Sequence, residues 1–119
     1  MSYDVSFKFK VEGVDWYEDT GLCDVNTTWN LRKMIVKSSG LAWENEANNG
    51  YVKDIIPNIE KGLKKLKDNP AKYAQYNAPN GWGTVDGLIR FYEDILQSWV
   101  WVKEAMPPEA YNRLTFWIQ

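Results

Sequence analysis

The chain has 119 residues, with 14 lysines and arginines against 16 aspartates and glutamates, no histidine and a single cysteine. The lack of histidine excludes Ser-His-Asp and Cys-His relays and imidazole metal ligands, and one cysteine excludes an internal disulfide or a CxxC site. A net charge of −2 disfavours a nucleic-acid binder, because neutralising phosphates requires a basic surplus. The length is that of one domain with its own core, so we expect residues 1–119 to form a single domain.

No membrane segment or bound cofactor is expected. The start of the chain lacks the basic and apolar regions of a signal peptide, and no apolar run approaches the roughly 20 residues that span a bilayer. We therefore expect a cytoplasmic protein.

Both ends of the chain show the two-residue alternation that is typical of half-buried strands. Apolar and polar side chains alternate over residues 3–11 and again over residues 114–118. Residues 12–13 indicate a turn, after which residues 14–20 predict a second strand that pairs back as a hairpin. We predict that residues 3–9 also pair with residues 114–118.

A first helix is predicted over residues 28–39, where apolar side chains recur at helical spacing. Gly40 suits the left-handed position that often ends a helix. Residues 41–50 show no sustained period and end in a turn signal, so they predict a loop that holds Trp43.

The second half of the chain carries the clearest helical patterns. Apolar side chains between residues 52 and 67 recur as one stripe along a helix. Pro57 lies within this segment and predicts either a kink or a later start of the helix. A short helix restarts at Asn69-Pro70, and Thr84 caps a long helix that continues to Met106. This order predicts an α+β fold in which a small antiparallel sheet, the N-terminal hairpin plus the C-terminal strand, packs on three to four helices.

The segment from Asn80 to Thr84 is the leading candidate for a binding site. Gly81 and Gly83 allow the backbone to bend sharply, Trp82 offers a stacking surface, and Thr84 opens a helix whose N–H groups can hold an anion. The same glycines would also allow Trp82 to fold inwards as a lid on the core, and the sequence leaves both interpretations open.

Other candidate binding residues lie outside this segment. Trp43 is assigned to a loop and Trp16 to an acidic strand, where a large apolar ring needs either a local cluster or a partner. Asp15 and Asp19 belong to an acidic run over residues 12–24 whose spacing does not match an EF-hand loop. We interpret this run as a solvated acidic edge, which limits aggregation and can mimic phosphate towards a basic partner.

Three short motifs resemble a known group of proteins. They are Met1-Ser2-Tyr3-Asp4-Val5, Asn26-Thr27-Thr28-Trp29-Asn30 and Trp82-Gly83-Thr84, and in this order they look like small proteins of phage and prophage genomes to which no activity is assigned. The resemblance implies no catalytic residue. It implies an accessory protein that binds a host macromolecule or sequesters a signalling metabolite.

We therefore expect a non-enzymatic phage or prophage accessory protein that binds a host or phage protein through exposed aromatic side chains and an acidic edge, for example to inhibit host defence. One alternative is a protein that binds or sequesters a nucleotide, with Trp82 or Trp43 stacked on the base and the Thr84 helix facing phosphate. Another is a carboxylate-based enzyme. A concave pocket at Trp82 would favour the ligand and an open aromatic patch the protein partner, while a homodimer stays open as a further alternative.

Overall fold

The computed structural model describes residues 2–119, which form the α+β fold that the sequence predicts. These residues contain five strands, β1 (Ser2–Lys10), β2 (Tyr17–Asp19), β3 (Val25–Thr28), β4 (Ala47–Tyr51) and β5 (Thr115–Ile118). They also contain five α-helices, α1 (Arg32–Ser39), α2 (Val52–Asp68), α3 (Pro70–Ala74), α4 (Val85–Ala105) and α5 (Pro108–Tyr111).

Strand β1 lies at the centre of one antiparallel sheet. On one side it pairs with β5, which in turn pairs with β4; on the other side its two halves pair with β3 and β2. Val5 lies opposite Ile118 and Phe7 opposite Phe116. The predicted pairing of the two ends of the chain is therefore confirmed.

The sheet contains two strands that the sequence analysis did not predict. Strand β3 has only four residues, too few to show an alternation, and its Asn and Thr side chains are equally typical of helix caps. Strand β4 has the sequence Ala-Asn-Asn-Gly-Tyr, and its pairing with β5 shifts register between Asn48 and Tyr51. Residues 41–46 form the predicted loop, but residues 47–50 belong to β4, and the sheet has five strands where the sequence predicts three. Neighbouring strands impose extended structure on these turn-forming residues.

The N-terminal hairpin has a longer turn and a shorter second strand than predicted. Gly13 has a φ of +85° in the turn, and the Val11 N–H donates to the Trp16 carbonyl at 2.8 Å, so Trp16 precedes β2. Phe9 was expected on the buried side of β1 but is 42% exposed. It lies past Lys8, the last residue of β1 that pairs with β5.

The core lies between one face of the sheet and the helices. Tyr3, Val5 and Phe7 from β1 join Phe116 and Ile118 from β5 in a single buried cluster with apolar residues of α1, α2 and α4. The described part of the chain has no helix with both the length and the apolar character needed to cross a bilayer.

The helices largely follow their predicted bounds. The segment predicted as the first helix begins with a 3-10 turn over Trp29–Leu31, which α1 follows, and Gly40 ends α1 with a φ of +77°. Helix α2 begins at Val52 and contains Pro57, so the later start is wrong. The ring of Pro57 lies on the exposed side of α2, and proline removes only one N–H from the helix.

Candidate functional site

Trp82 is presented to solvent by a loop with a well-defined backbone. Its side chain is 71% exposed, so it is not a lid on the core. The Trp82 N–H donates to Asn80 Oδ1 at 3.0 Å, and the Ala78 N–H donates to the Gly83 carbonyl at 2.9 Å. The Gly81 N–H donates to the Ala78 carbonyl at 3.0 Å. These bonds fix the backbone while the indole ring projects outwards.

A distant part of the chain anchors the same loop. Asn30 Nδ2 donates to the Trp82 carbonyl at 3.1 Å. Gly83 has a φ of +140°, and a Cβ added there would lie 3.1 Å from Leu31 Cδ2. Glycine is required at this position, because another side chain would strain the backbone and displace the loop from the turn before α1. We call residues 77–84 together with Asn30 the Trp82 surface.

The start of α4 is already capped by side chains of this surface. Thr84 Oγ1 accepts from the Gly87 N–H at 3.1 Å, and Asn77 Oδ1 accepts from the Val85 N–H at 3.1 Å. Asp86 adds a carboxylate to the first turn. A phosphate would have to compete for donors that are engaged and would meet a negative charge, so this helix start is unsuited to the nucleotide hypothesis.

A groove adjoins the Trp82 surface. It lies between α3 and the start of α4, has a volume of about 380 Å³, and is lined by Pro70, Ala71, Ala74, Asn77, Thr84, Val85 and Asp86. Trp82 is not among the lining residues. The groove could not be predicted from the sequence, because two separate segments form it and each shows only the pattern of a helix start.

Cationic side chains lie near the same loop, on the turn and helix that follow Asn30. The Arg32 guanidinium lies 5.2 Å from the centre of the Trp29 ring, and Lys33 Nζ lies 5.4 Å from the centre of the Tyr76 ring. Neither belongs to an ion pair, since the ion pairs found within residues 2–119 are Lys64 with Asp68 and Lys67 with Glu93. Both charges are exposed and available to a partner.

Trp43 was predicted as a binding residue, and the structure contradicts this prediction. Its side chain is only 4% exposed and stacks on Phe116 with ring centres 5.1 Å apart. Its edge contacts are with Tyr3 and with Phe91 of α4. The ring fills the space between the sheet and α4, where burying its apolar area stabilises the fold.

The acidic hairpin residues lie far from the Trp82 surface. Thr28, which a side chain at Gly83 would contact, pairs with Ser2, whereas Tyr17 next to Trp16 pairs with Lys10 at the other end of β1. Ser2 and Lys10 are eight residues apart along β1, which at roughly 3.3 Å per residue places them about 26 Å apart. The structure therefore does not bring the predicted site residues together.

Each of these hairpin residues is exposed. Trp16 is 60% exposed, and its Nε1 donates to Glu18 Oε1 at 2.8 Å. Asp15 is open to solvent, and Asp19 Oδ1 accepts from the Gly21 N–H at 2.9 Å, which shapes the turn after β2.

A second cavity, of about 340 Å³, opens where β2 and β3 separate along β1. Asp4, Asp19 and Asp24 line it together with Ser6 and Cys23, among others. Burial, with a smaller contribution from nearby carboxylates and against a hydrogen bond with Ser98 that lowers it, raises the pKa of the Cys23 thiol to about 12. The thiol is therefore protonated at neutral pH and is not a nucleophile. Among residues 2–119 no group of His, Cys, Asp and Glu side chains is placed to hold a metal ion.

No family model, no curated protein and no solved structure matches this chain.

Proposed function

We propose that this is a non-enzymatic protein that binds a macromolecular partner through the Trp82 surface. The observation that carries the proposal is the combination of a 71% exposed indole with a backbone held by hydrogen bonds within the loop and from Asn30. A large apolar ring costs free energy when it is exposed to water, and burial against a partner recovers that free energy.

The fixed loop also lowers the cost of binding. Tryptophan is enriched among the residues that dominate interface energetics, and truncating such a residue usually costs more than about 1 kcal/mol. A loop that already holds its bound conformation loses little conformational entropy on association. The cations Arg32 and Lys33 would then lie near the rim of the interface, where charge mainly affects the rate of association.

The biological setting belongs to the same proposal. The resemblance to small phage and prophage proteins supports an accessory role in the host cytoplasm, in which the partner is a host or phage protein and binding inhibits a host function such as defence. The open placement of Trp82, outside the lining of the groove, supports a protein partner more than an enclosed nucleotide.

Site-specific photo-crosslinking in the natural host tests the proposal. The photoreactive amino acid p-benzoylphenylalanine replaces Trp82, and in separate variants it replaces Trp101 or Trp16. These controls are 52% and 60% exposed, and Trp101 lies sixteen residues along α4 from Val85, about 24 Å at roughly 1.5 Å per residue.

We expect a discrete covalent adduct with one protein at position 82, and weak or diffuse adducts at the two controls. The adduct at position 82 should disappear in a variant that also carries Gly83→Ala, because this change displaces the loop. Equal labelling at all three positions, or no adduct at position 82, would contradict the proposal.

A further inference from the structure

The groove beside the Trp82 surface has the properties of a socket for one apolar side chain. Its α3 wall consists of Pro70, Ala71 and Ala74, which are exposed and carry no long side chain that could fill the space. Val85 contributes a buried apolar side chain from the start of α4. The groove is open to solvent, whereas small-molecule sites usually enclose most of their ligand. An open apolar groove of this kind suits a side chain that belongs to a larger partner.

The groove also has a defined charge. Asp86 is the charged residue among those that line it, and within residues 2–119 Asp86 forms no ion pair. A partner that covers the groove must desolvate this carboxylate, which is unfavourable unless the partner supplies a positive charge. The same carboxylate repels an acidic segment and so contributes to specificity.

We propose that the groove binds a segment of the protein partner in which an apolar side chain stands next to a lysine or arginine. The apolar side chain packs on Pro70, Ala71 and Ala74, and the cation pairs with Asp86. Asn77 and Thr84 belong both to the groove and to the Trp82 surface, so the two form one continuous interface. This inference rests on the proposed function and names the chemistry of its partner.

Selection from a displayed library of random twelve-residue peptides tests the inference. Peptides from the library are selected for binding to the wild-type protein. The affinity of the enriched peptides for each variant is then measured by fluorescence anisotropy. Ala74→Phe fills the groove, Asp86→Asn removes its charge, and Trp82→Ala removes the neighbouring anchor. Glu104→Gln, at an exposed carboxylate near the other end of α4, is the matched control. Thermal melting of each variant establishes that it is folded.

We expect the enriched peptides to share an apolar residue beside Lys or Arg. Ala74→Phe should weaken their binding at least tenfold, Asp86→Asn about fivefold at low salt, and Glu104→Gln should leave it unchanged. Peptides that depend on Trp82 but ignore both groove variants would overturn the inference and leave the proposed function standing. Enrichment of acidic peptides, or no enrichment at all, would also overturn the inference. Peptides whose binding is unaffected by the two groove variants and by Trp82→Ala would overturn the inference and would count against the proposed function too.

Discussion

Gly62 provides a sharp test of how the three main helices pack. It lies in the middle of α2 and is buried. A Cβ added there would lie 3.1 Å from Ser39 Cβ, 3.1 Å from Tyr92 Cε2 and 3.2 Å from Ser39 Cα, closer than the roughly 3.5–4.0 Å of favourable carbon contacts. Hydrogen bonds restrain both neighbours: the Ser39 carbonyl accepts from Asn58 Nδ2 at 3.1 Å, and the Tyr92 hydroxyl is hydrogen-bonded to Ser38 Oγ at 2.8 Å.

Gly62→Ala therefore sets two effects of opposite sign against each other. Alanine in a helix interior is favoured over glycine by about 1 kcal/mol, whereas overpacking a well-filled core costs roughly 1–3 kcal/mol. We expect overpacking to win, with a net loss of about 1 kcal/mol in the free energy of unfolding.

The matched control is Gly87→Ala, near the start of α4. There the added Cβ would meet only Thr84 Oγ1, at 3.4 Å, so the helix propensity gain should appear as a stabilisation of about 0.5 kcal/mol. Urea unfolding followed by circular dichroism measures both variants against wild type. If Gly62→Ala were stabilised as much as Gly87→Ala, the close approach of α1, α2 and α4 would be wrong.

Two further predictions concern stability. Ile59 is fully buried on the apolar stripe of α2, so Ile59→Ala should lower the free energy of unfolding by about 2–5 kcal/mol, and an unchanged denaturation midpoint would contradict its assignment to the core. Burial raises the pKa of Tyr92 and of Cys23 to about 12, from 10.0 and 9.0. Between the unfolded and the folded pKa values, the folded state keeps protons that the unfolded chain has lost. The free energy of unfolding should therefore be fully present below about pH 9 and should fall as the pH rises towards about 12. The slope is up to roughly 1.4 kcal/mol per pH unit for each group. Tyr92→Phe should reduce this slope in urea unfolding above about pH 10, and an identical slope would show that Tyr92 does not titrate as described.

The sequence predicts those parts of the fold in which the pattern of side chains is long enough to be regular. The alternation at Tyr3, Val5 and Phe7 identifies β1, and the same period near Phe116 identifies its partner β5. Strand β4 could not be predicted, because its extended structure depends on β5 and not on the local residues Asn48 and Gly50.

The candidate site shows the same limit. The glycines around Trp82 predict an irregular loop, and they are compatible with an indole that points either inwards or outwards. In the structure the indole points outwards, and the backbone that carries it is held by a contact across the fold, from Asn30 to the Trp82 carbonyl. Trp43 shows the reverse case, because only the position of Phe116 and Phe91 explains why a tryptophan in a polar loop is buried.

The most direct test of the central claim is to measure stability and binding together in Trp82→Ala, using the protein that position 82 crosslinks as the binding partner and Trp101→Ala as the control. Because the Trp82 side chain is 71% exposed, its loss should change the melting temperature by less than about 2 °C. The affinity should fall at least tenfold, equivalent to about 1.4 kcal/mol, while Trp101→Ala binds like wild type. A melting temperature that drops by several degrees, with the affinity of the folded protein intact, would contradict a contact role for Trp82.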